Sequence, residues 1–211
     1  MKITLLCDNP KSWILPYIDH LIELLSGNYD VRFINNVDKI PKGDMLFILG
    51  CENKISKSKL KLNNRNLVVH PSKLPRGRGW SPLAWQILEG KNKIPISLFE
   101  ANEKIDSGKV YLLDYIILKG YELNNEIKSI QGQVTIKMII NFIENYKQLA
   151  GKEQFGKPTY YDKRTSNDSE LDINKSIIEQ FNLLRIVDNE RYPAFFHYKG
   201  KKFNITIERE D

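Results

Sequence analysis

Four short apolar runs open this chain, and none of them alternates strictly with polar residues. They are KITLLC (2–7), YDVRFIN (29–35), DMLFILG (44–50) and RNLVVH (65–70). A strand with one solvated face reads apolar-polar-apolar, whereas a strand covered on both faces reads as a nearly unbroken apolar run. Between the first two lies SWILPYIDHLIELLSG (12–27), which the spacing predicts as a helix capped by Ser12 and ended by Gly27. The alternation implies an α/β fold: a Rossmann-like, mostly parallel sheet flanked by helices. IPISLFEA (94–101) and KVYLLDYIIL (109–118) add strands, and a long helix is expected over 124–150. Past Gly151 the texture turns polar, so residues 1–150 read as the main domain and 151–211 as a small appendage. That appendage is expected to hold a helix over 173–187 and a β-hairpin turning at Lys199-Gly200-Lys201.

Composition narrows the partners only a little. The 211 residues carry a formal charge of +6, which favours anionic ligands such as nucleotides, phosphates or polyglutamates. Two distant cysteines, Cys7 and Cys51, make neither a disulfide framework nor a metal signature, so no metal is expected. No secretory leader and no membrane span is legible, and the expected location is the cytoplasm.

The chemistry concentrates at NLVVHPSKLPRGRGWSPLAWQILEG (66–90). Pro71 biases His70 to an extended conformation, so this histidine should close its strand at the carboxyl end. Open α/β sheets bind ligands in the crevice just outside those strand ends. The loop after it offers Gly77 and Gly79 for close backbone approach, with Arg76 and Arg78 able to hold phosphate or carboxylate. Ser81 and Pro82 then open a helix that Gly90 should end. Neither a GxGxxG nor a Walker A pattern follows the first strand, which disfavours standard dinucleotide and P-loop readings. Further on, Asp106-Ser107-Gly108 lies between two strands, so Asp106 should reach the same crevice. An ionised aspartate beside an imidazole fixes its tautomer.

HPSKLPRGRGWSPLAWQILEG followed by EKIDSG resembles the folate-dependent formyltransferases, a superfamily that includes methionyl-tRNA, glycinamide ribonucleotide and nucleotide-sugar N-formyltransferases. The likeness covers most of residues 44–120. The tail, with RTSNDSELD, a helix and RYPAFFHY, is similar to the nucleotide-sugar branch, and the wording around LPRGRGW is closest to the pseudaminic-acid-pathway enzymes. A full methionyl-tRNA formyltransferase would carry a larger C-terminal barrel than this tail has room for.

The resemblance implies transfer of a formyl group from 10-formyltetrahydrofolate to the amine of a UDP- or dTDP-linked amino sugar, in cell-surface polysaccharide synthesis. His70 would serve as base and oxyanion helper, with Asp106 orienting it. The reduced folate would lie against Lys104, Ile105, Asp106 and Gly108, and the acceptor against Ser72, Lys73, Arg76, Arg78 and Trp80. No nucleic acid or membrane partner is implied, and the final hairpin could pair two copies as a homodimer. The family's oxyanion-donating asparagine, two residues before the histidine, is Val68 here, and Asn53 is the candidate replacement. Two alternatives stand beside this reading: an aminoacyl-tRNA or carrier-bound amine as acceptor, or a relative that binds these ligands without turnover.

Overall fold

The runs KITLLC, DMLFILG and RNLVVH bury side chains on both faces of one sheet, whereas YDVRFIN becomes its exposed edge strand. The computed structural model describes residues 1–210. Its elements run β1 (Lys2–Leu6), α1 (Leu15–Leu25), β2 (Asp30–Ile34), β3 (Gly43–Ile48), α2 (Lys57–Leu60), β4 (Asn63–His70), β5 (Arg78–Gly79) and α3 (Pro82–Leu88). They continue with β6 (Lys93–Glu100), β7 (Val110–Ile117), α4 (Asn124–Asn145), β8 (Tyr160–Tyr161), α5 (Phe181–Ile186), β9 (Ala194–Tyr198) and β10 (Lys201–Ile205). The six-stranded sheet has the order β2-β1-β3-β4-β6-β7. Strands β2, β1, β3 and β4 are parallel, and β6 and β7 extend the sheet by antiparallel pairing.

Odd and even positions of the same strand serve different layers. Leu5, Met45, Phe47 and Leu67 join Ile18, Leu21, Met138 and Phe142 in the main core, packed under α1 and α4. Leu6, Leu46 and Ile48 point to the opposite face and meet Leu60 of α2. Phe142 meets Phe47 and Tyr111 edge-on, with ring centroids 6.4 and 5.1 Å apart. Burying one such side chain contributes about 1.5–3 kcal/mol, which favours apolar residues at these positions.

Three local expectations need correction. The first helix begins at Leu15, not at Ser12, and its cap position is Ile14, with no side-chain hydrogen bond. Pro16 sits in its opening turn, while the Ser12 and Asn9 carbonyls close the preceding turns. Ser81 precedes α3 in a left-handed conformation, φ 49°, and its hydroxyl caps nothing; Pro82 does open the helix.

The helix expected over 173–187 shrinks to Phe181–Ile186. Upstream, the carboxylate of Asp172 accepts from the Asn174 N–H, and that of Glu179 from the Ser176 N–H and hydroxyl. Such local bonds compete with helix formation. The face that would have packed is left out, with Ile173, Ile177 and Ile178 at 55%, 72% and 86% exposure. The hairpin forms as expected: Lys199 and Gly200 both take positive φ, the geometry of a two-residue turn that matches strand twist.

A buried arginine ties the tail to the sheet domain. Arg185 of α5 is 1% exposed; its Nε donates to the Glu122 carbonyl, Nη1 to Asn92, and Nη2 lies 3.4 Å from the Glu122 carboxylate. Burial acts to raise the Glu122 pKa, but the N–H groups of Lys119 and Gly120 together with Arg185 outweigh it and hold this carboxyl below its usual range. The ionised form therefore stabilises the fold above the ordinary glutamate value. That contribution is lost as pH falls below roughly 4.3 and through the lower folded-state value. Arg185→Met should cost about 3–5 kcal/mol in chemical denaturation at neutral pH, because it strands a buried carboxylate. Pairing it with Glu122→Gln should recover part of the loss and flatten the acid limb of the stability profile.

Candidate active site

Parallel pairing brings the carboxyl ends of the central strands to one edge, since Leu6 pairs with both Ile34 and Ile48, and Ile48 with Val68. Two residues beyond Val68, His70 closes β4. A cavity of about 580 Å³ opens along this edge, and His70, Asp106, Val68, Asn53 and Trp80 all reach its wall. Its far side is built from one face of α4 (Asn124, Ile127, Lys128, Gln131) and from Ile186 and Arg191 of the tail.

His70 is buried, and its Nε2 lies 2.8 Å from the Gly77 carbonyl. A carbonyl only accepts, so Nε2 carries a proton and donates it. In the neutral ring the lone pair is then on Nδ1, which makes no hydrogen bond among the described residues. Phe99 meets the imidazole edge-on at 6.4 Å. The Asp106 carboxylate approaches Nε2 to 3.8 Å, beyond hydrogen-bond range. Asp106 thus stands beside His70 without a direct hydrogen bond to it. Instead Asp106 Oδ2 accepts from the Gly79 N–H at 2.8 Å, and the residue itself takes a left-handed φ of 51°. The loop that follows His70 thus supplies both groups that fix the pair: the carbonyl of Gly77 and the N–H of Gly79.

Gly77 and Gly79 are glycine for a reason other than ligand approach. Strand β5 pairs in parallel with β8, and a Cβ on Gly79, at φ +94°, would stand 2.5 Å from the Tyr161 carbonyl oxygen. A Cβ on Gly77 would stand 2.9 Å from the Tyr161 ring. The close approach is to the tail of the chain itself. Tyr161 is pinned in turn by stacking on Trp85 at 6.4 Å and by donating its hydroxyl to Glu89 at 2.6 Å. Burial and the Glu89 carboxylate push its phenol pKa well up, so the hydroxyl stays a donor.

The other expected residues divide. Trp80 is on the cavity wall, 39% exposed, with the Lys163 ammonium 4.7 Å from its ring. Ile105 joins Asp106 there, while Lys104 and Gly108 do not reach the cavity. Gly108 is packed against the Glu100 carbonyl, with no space for a Cβ. Ser72, Lys73, Arg76 and Arg78 also lie off the cavity. Ser72 is buried, with its carbonyl accepting from Ser97. Arg78 turns toward the tail, donating to Gln154 at 2.6 Å and to the Tyr160 hydroxyl at 3.4 Å. Lys73 and Arg76 are solvated.

Asn53 reaches the wall with its side-chain N–H and backbone N–H both donated to one Asp8 oxygen, at 2.8 and 2.9 Å, while Glu52 N–H takes the other. Cys51, also on the wall, has its thiol pushed up to about 12 by burial and by Asp8, so it stays protonated. No group of three or more His, Cys, Asp or Glu side chains among the described residues is placed to hold a metal.

Sequence reasoning missed the residues that brace this site. Asp8, just past the first strand, organises 52–53. Gln154 joins the 106–108 loop to β5, its Nε2 donating to the carbonyls of Asp106 and Gly108 while its Oε1 receives Arg78. Nothing in a polar, turn-rich stretch marks one glutamine as a brace. Gln154→Ala should speed amide exchange across 104–108 while changing global stability by about 1 kcal/mol, read by hydrogen–deuterium exchange and denaturant melts.

No family model matches the chain. In sequence it is 26% identical over 182 residues to methionyl-tRNA formyltransferase of Alkaliphilus oremlandii, covering 83% of this chain and 57% of that protein. It covers 44–48% of the length of the methionyl-tRNA formyltransferases of Ehrlichia ruminantium and Pseudothermotoga lettingae, so it spans about half of these relatives. Among solved structures, methionyl-tRNA formyltransferase from Clostridium thermocellum superposes with a TM-score of 0.84 at 21% identity, covering 100% of this chain and 94% of that one. A sugar N-formyltransferase from a Shewanella species gives 0.73 at 16% identity, covering 100% and 98%. HypX from Aquifex aeolicus, in complex with tetrahydrofolic acid, gives 0.77 at 18% identity, covering 96% of this chain and 36% of its own.

Proposed function

We propose that this chain, which shares the fold and recognisable sequence of the formyltransferase superfamily, transfers a formyl group from 10-formyltetrahydrofolate to the primary amine of a nucleotide-linked amino sugar. The observation that carries the reading is the pair His70 and Asp106, held by one loop in the wall of a 580 Å³ cavity at the strand ends. A cavity of that size suits a small acceptor. Sugar N-formyltransferases among the structural neighbours support the same acceptor class. A cytoplasmic location and a role in building surface polysaccharide belong to this reading.

The transfer needs an amine that attacks the formyl carbon, a proton acceptor, and donors for the developing oxyanion. Attack forms a new C–N bond and a tetrahedral centre. Collapse then breaks the bond to the folate nitrogen, which takes a proton as it leaves. His70 has the free Nδ1 to receive the amine proton and pass it on. Asp106, 3.8 Å from the opposite ring nitrogen, stabilises the imidazolium that results. Ile105 offers the folate ring an apolar wall beside Asp106.

At Val68 the family's amide donor is missing, and one such donor is worth about 100- to 1000-fold in rate. Asn53 is the proposed substitute, since a carboxamide has two N–H groups and Asp8 takes one.

The sequence relatives favour a second reading, an aminoacyl-tRNA acceptor. Its binding would fall steeply with salt, as phosphate contacts do, whereas a nucleotide sugar would show a shallow dependence. The primary test is formylation of 4-amino-4,6-dideoxy sugars on UDP and dTDP, read by mass spectrometry with charged tRNA in parallel. Wild type should add one formyl mass to a sugar, and His70→Ala should lose about 100-fold or more. Turnover of tRNA alone would reassign the acceptor, and turnover unchanged by His70→Ala would remove the proposed base. Val68→Asn should raise kcat if the oxyanion is under-supported. A kcat unmoved by Val68→Asn and collapsed by Asn53→Ala would place that work on Asn53.

A further inference from the structure

The arginines expected to hold an anionic ligand lie off the cavity, which raises the question of what does. Three other cationic side chains reach its wall: Lys54, Lys128 and Arg191. Two of them meet at one place. Lys128 projects from α4 and lies 3.2 Å from the Asp188 carboxylate. The other oxygen of Asp188 accepts from the backbone N–H groups of Glu190 and Arg191. One aspartate thus holds α4 and the 188–192 turn together. Arg191 then donates Nη1 to the Lys11 carbonyl at 2.9 Å and rests over the Tyr192 ring at 6.0 Å.

The charge balance there favours an anion. Asp188 offsets Lys128, so the guanidinium is in excess. Of its five N–H donors one is engaged by the Lys11 carbonyl, and the residue is exposed on the cavity wall. The two carboxylates on the wall are committed elsewhere: Glu52 to Asn9 and Lys163, and Asp106 to Gly79. A guanidinium fork matches phosphate oxygens two at a time, and a neighbouring ammonium adds a point charge for a second phosphate. Asn124 and Gln131 stand on the same face of α4 as Lys128 and offer both donors and acceptors.

We propose that Arg191, backed by Lys128, is the subsite for the acceptor's diphosphate, so that the tail of the chain selects a nucleoside-diphosphate-linked amine. The inference rests on the formyltransferase reading and deepens it. The acceptor enters from the α4 and tail side and presents its amine toward His70. Arg191 and Lys128 act on acceptor binding and leave the folate side untouched.

The test is calorimetric titration of wild type, Arg191→Ala, Arg191→Lys and Lys128→Ala with UDP, dTDP, inorganic pyrophosphate and a CCA-ended RNA oligonucleotide. Tetrahydrofolate is the control ligand, and melting temperature checks the fold. The expected result is binding of UDP or dTDP by wild type, weakened tenfold or more in Arg191→Ala and less in Arg191→Lys, with tetrahydrofolate affinity unchanged. Pyrophosphate should compete for the same subsite with lower affinity.

Equal UDP or dTDP affinity in Arg191→Ala and wild type overturns the subsite. So does wild type that binds tetrahydrofolate but neither nucleotide, or that binds only the RNA. If Arg191→Ala melts early and loses every ligand, Lys128→Ala decides: weaker nucleotide binding supports the subsite, and unchanged binding overturns it. Wild type that binds neither tetrahydrofolate nor nucleotide fails the formyltransferase reading itself, and the subsite falls with it.

Discussion

The Gly79 N–H that holds Asp106 belongs to a backbone with no room for any side chain, because the Tyr161 carbonyl stands where a Cβ would be. Much of the site depends on that contact. A larger residue at position 79 would push β5 off β8, and the carboxylate oxygen 3.8 Å from His70 would lose its backbone donor. Tyr161 cannot yield easily, since Trp85 of α3 and Glu89 just past its end hold its ring and hydroxyl. The polar tail thus acts as a brace for His70 and Asp106, although it contributes little to the main core. Arg185 anchors the same tail a second time, through a buried ion pair beside β7 and α4.

Legibility followed the range of the forces involved. The strands could be read because burial on both faces leaves an unbroken apolar run, and that signal is local. His70 could be read because the carboxyl ends of the parallel strands converge on one edge, a rule of topology that needs no contact map. That rule does not place Asp106, which follows a strand antiparallel to β4 and is held near His70 by the Gly79 N–H. The direction of Arg78 could not be read. It depends on β8 and Gln154, 82 and 76 residues away in sequence, and a basic loop looks the same whether it faces ligand or tail. Residues 173–180 carried a helical spacing of isoleucines with no surface to receive them. Amphipathic spacing forms a helix in a protein chiefly when something covers its apolar face. There, hydrogen bonds accepted by the Asp172 and Glu179 carboxylates from Asn174 and Ser176 decided the conformation instead.

Asp8 shows how one early turn residue reaches the far side of the site. Its two oxygens receive three N–H groups from Glu52 and Asn53, which fixes the loop after β3 against the end of β1. The same burial and charge keep the Cys51 thiol protonated, so the wall there offers hydrogen bonds and shape, with no nucleophile competing for an electrophilic carbon. An amide donor gains most when its orientation is set before the reaction, because no reorganisation is then needed as charge develops. Asn53 meets that requirement, since its backbone and side chain are both held by one carboxylate.

Val68 changes what the rest of the wall must do. A valine at the strand end cannot donate to an oxyanion, but it gives the cavity wall that it shares with His70 an apolar surface. Electrostatic interactions strengthen as water leaves. A site with fewer donors can therefore recover part of its stabilisation by being drier, provided the remaining groups are rigid. His70 is fixed by a carbonyl and Asp106 by an N–H of the same short loop. The loop is locked by a glycine contact to the tail, and the tail by a buried arginine. That chain of restraints links sites more than 100 residues apart in sequence. It gives a mutation in α5 a route to the geometry at His70 without touching the cavity.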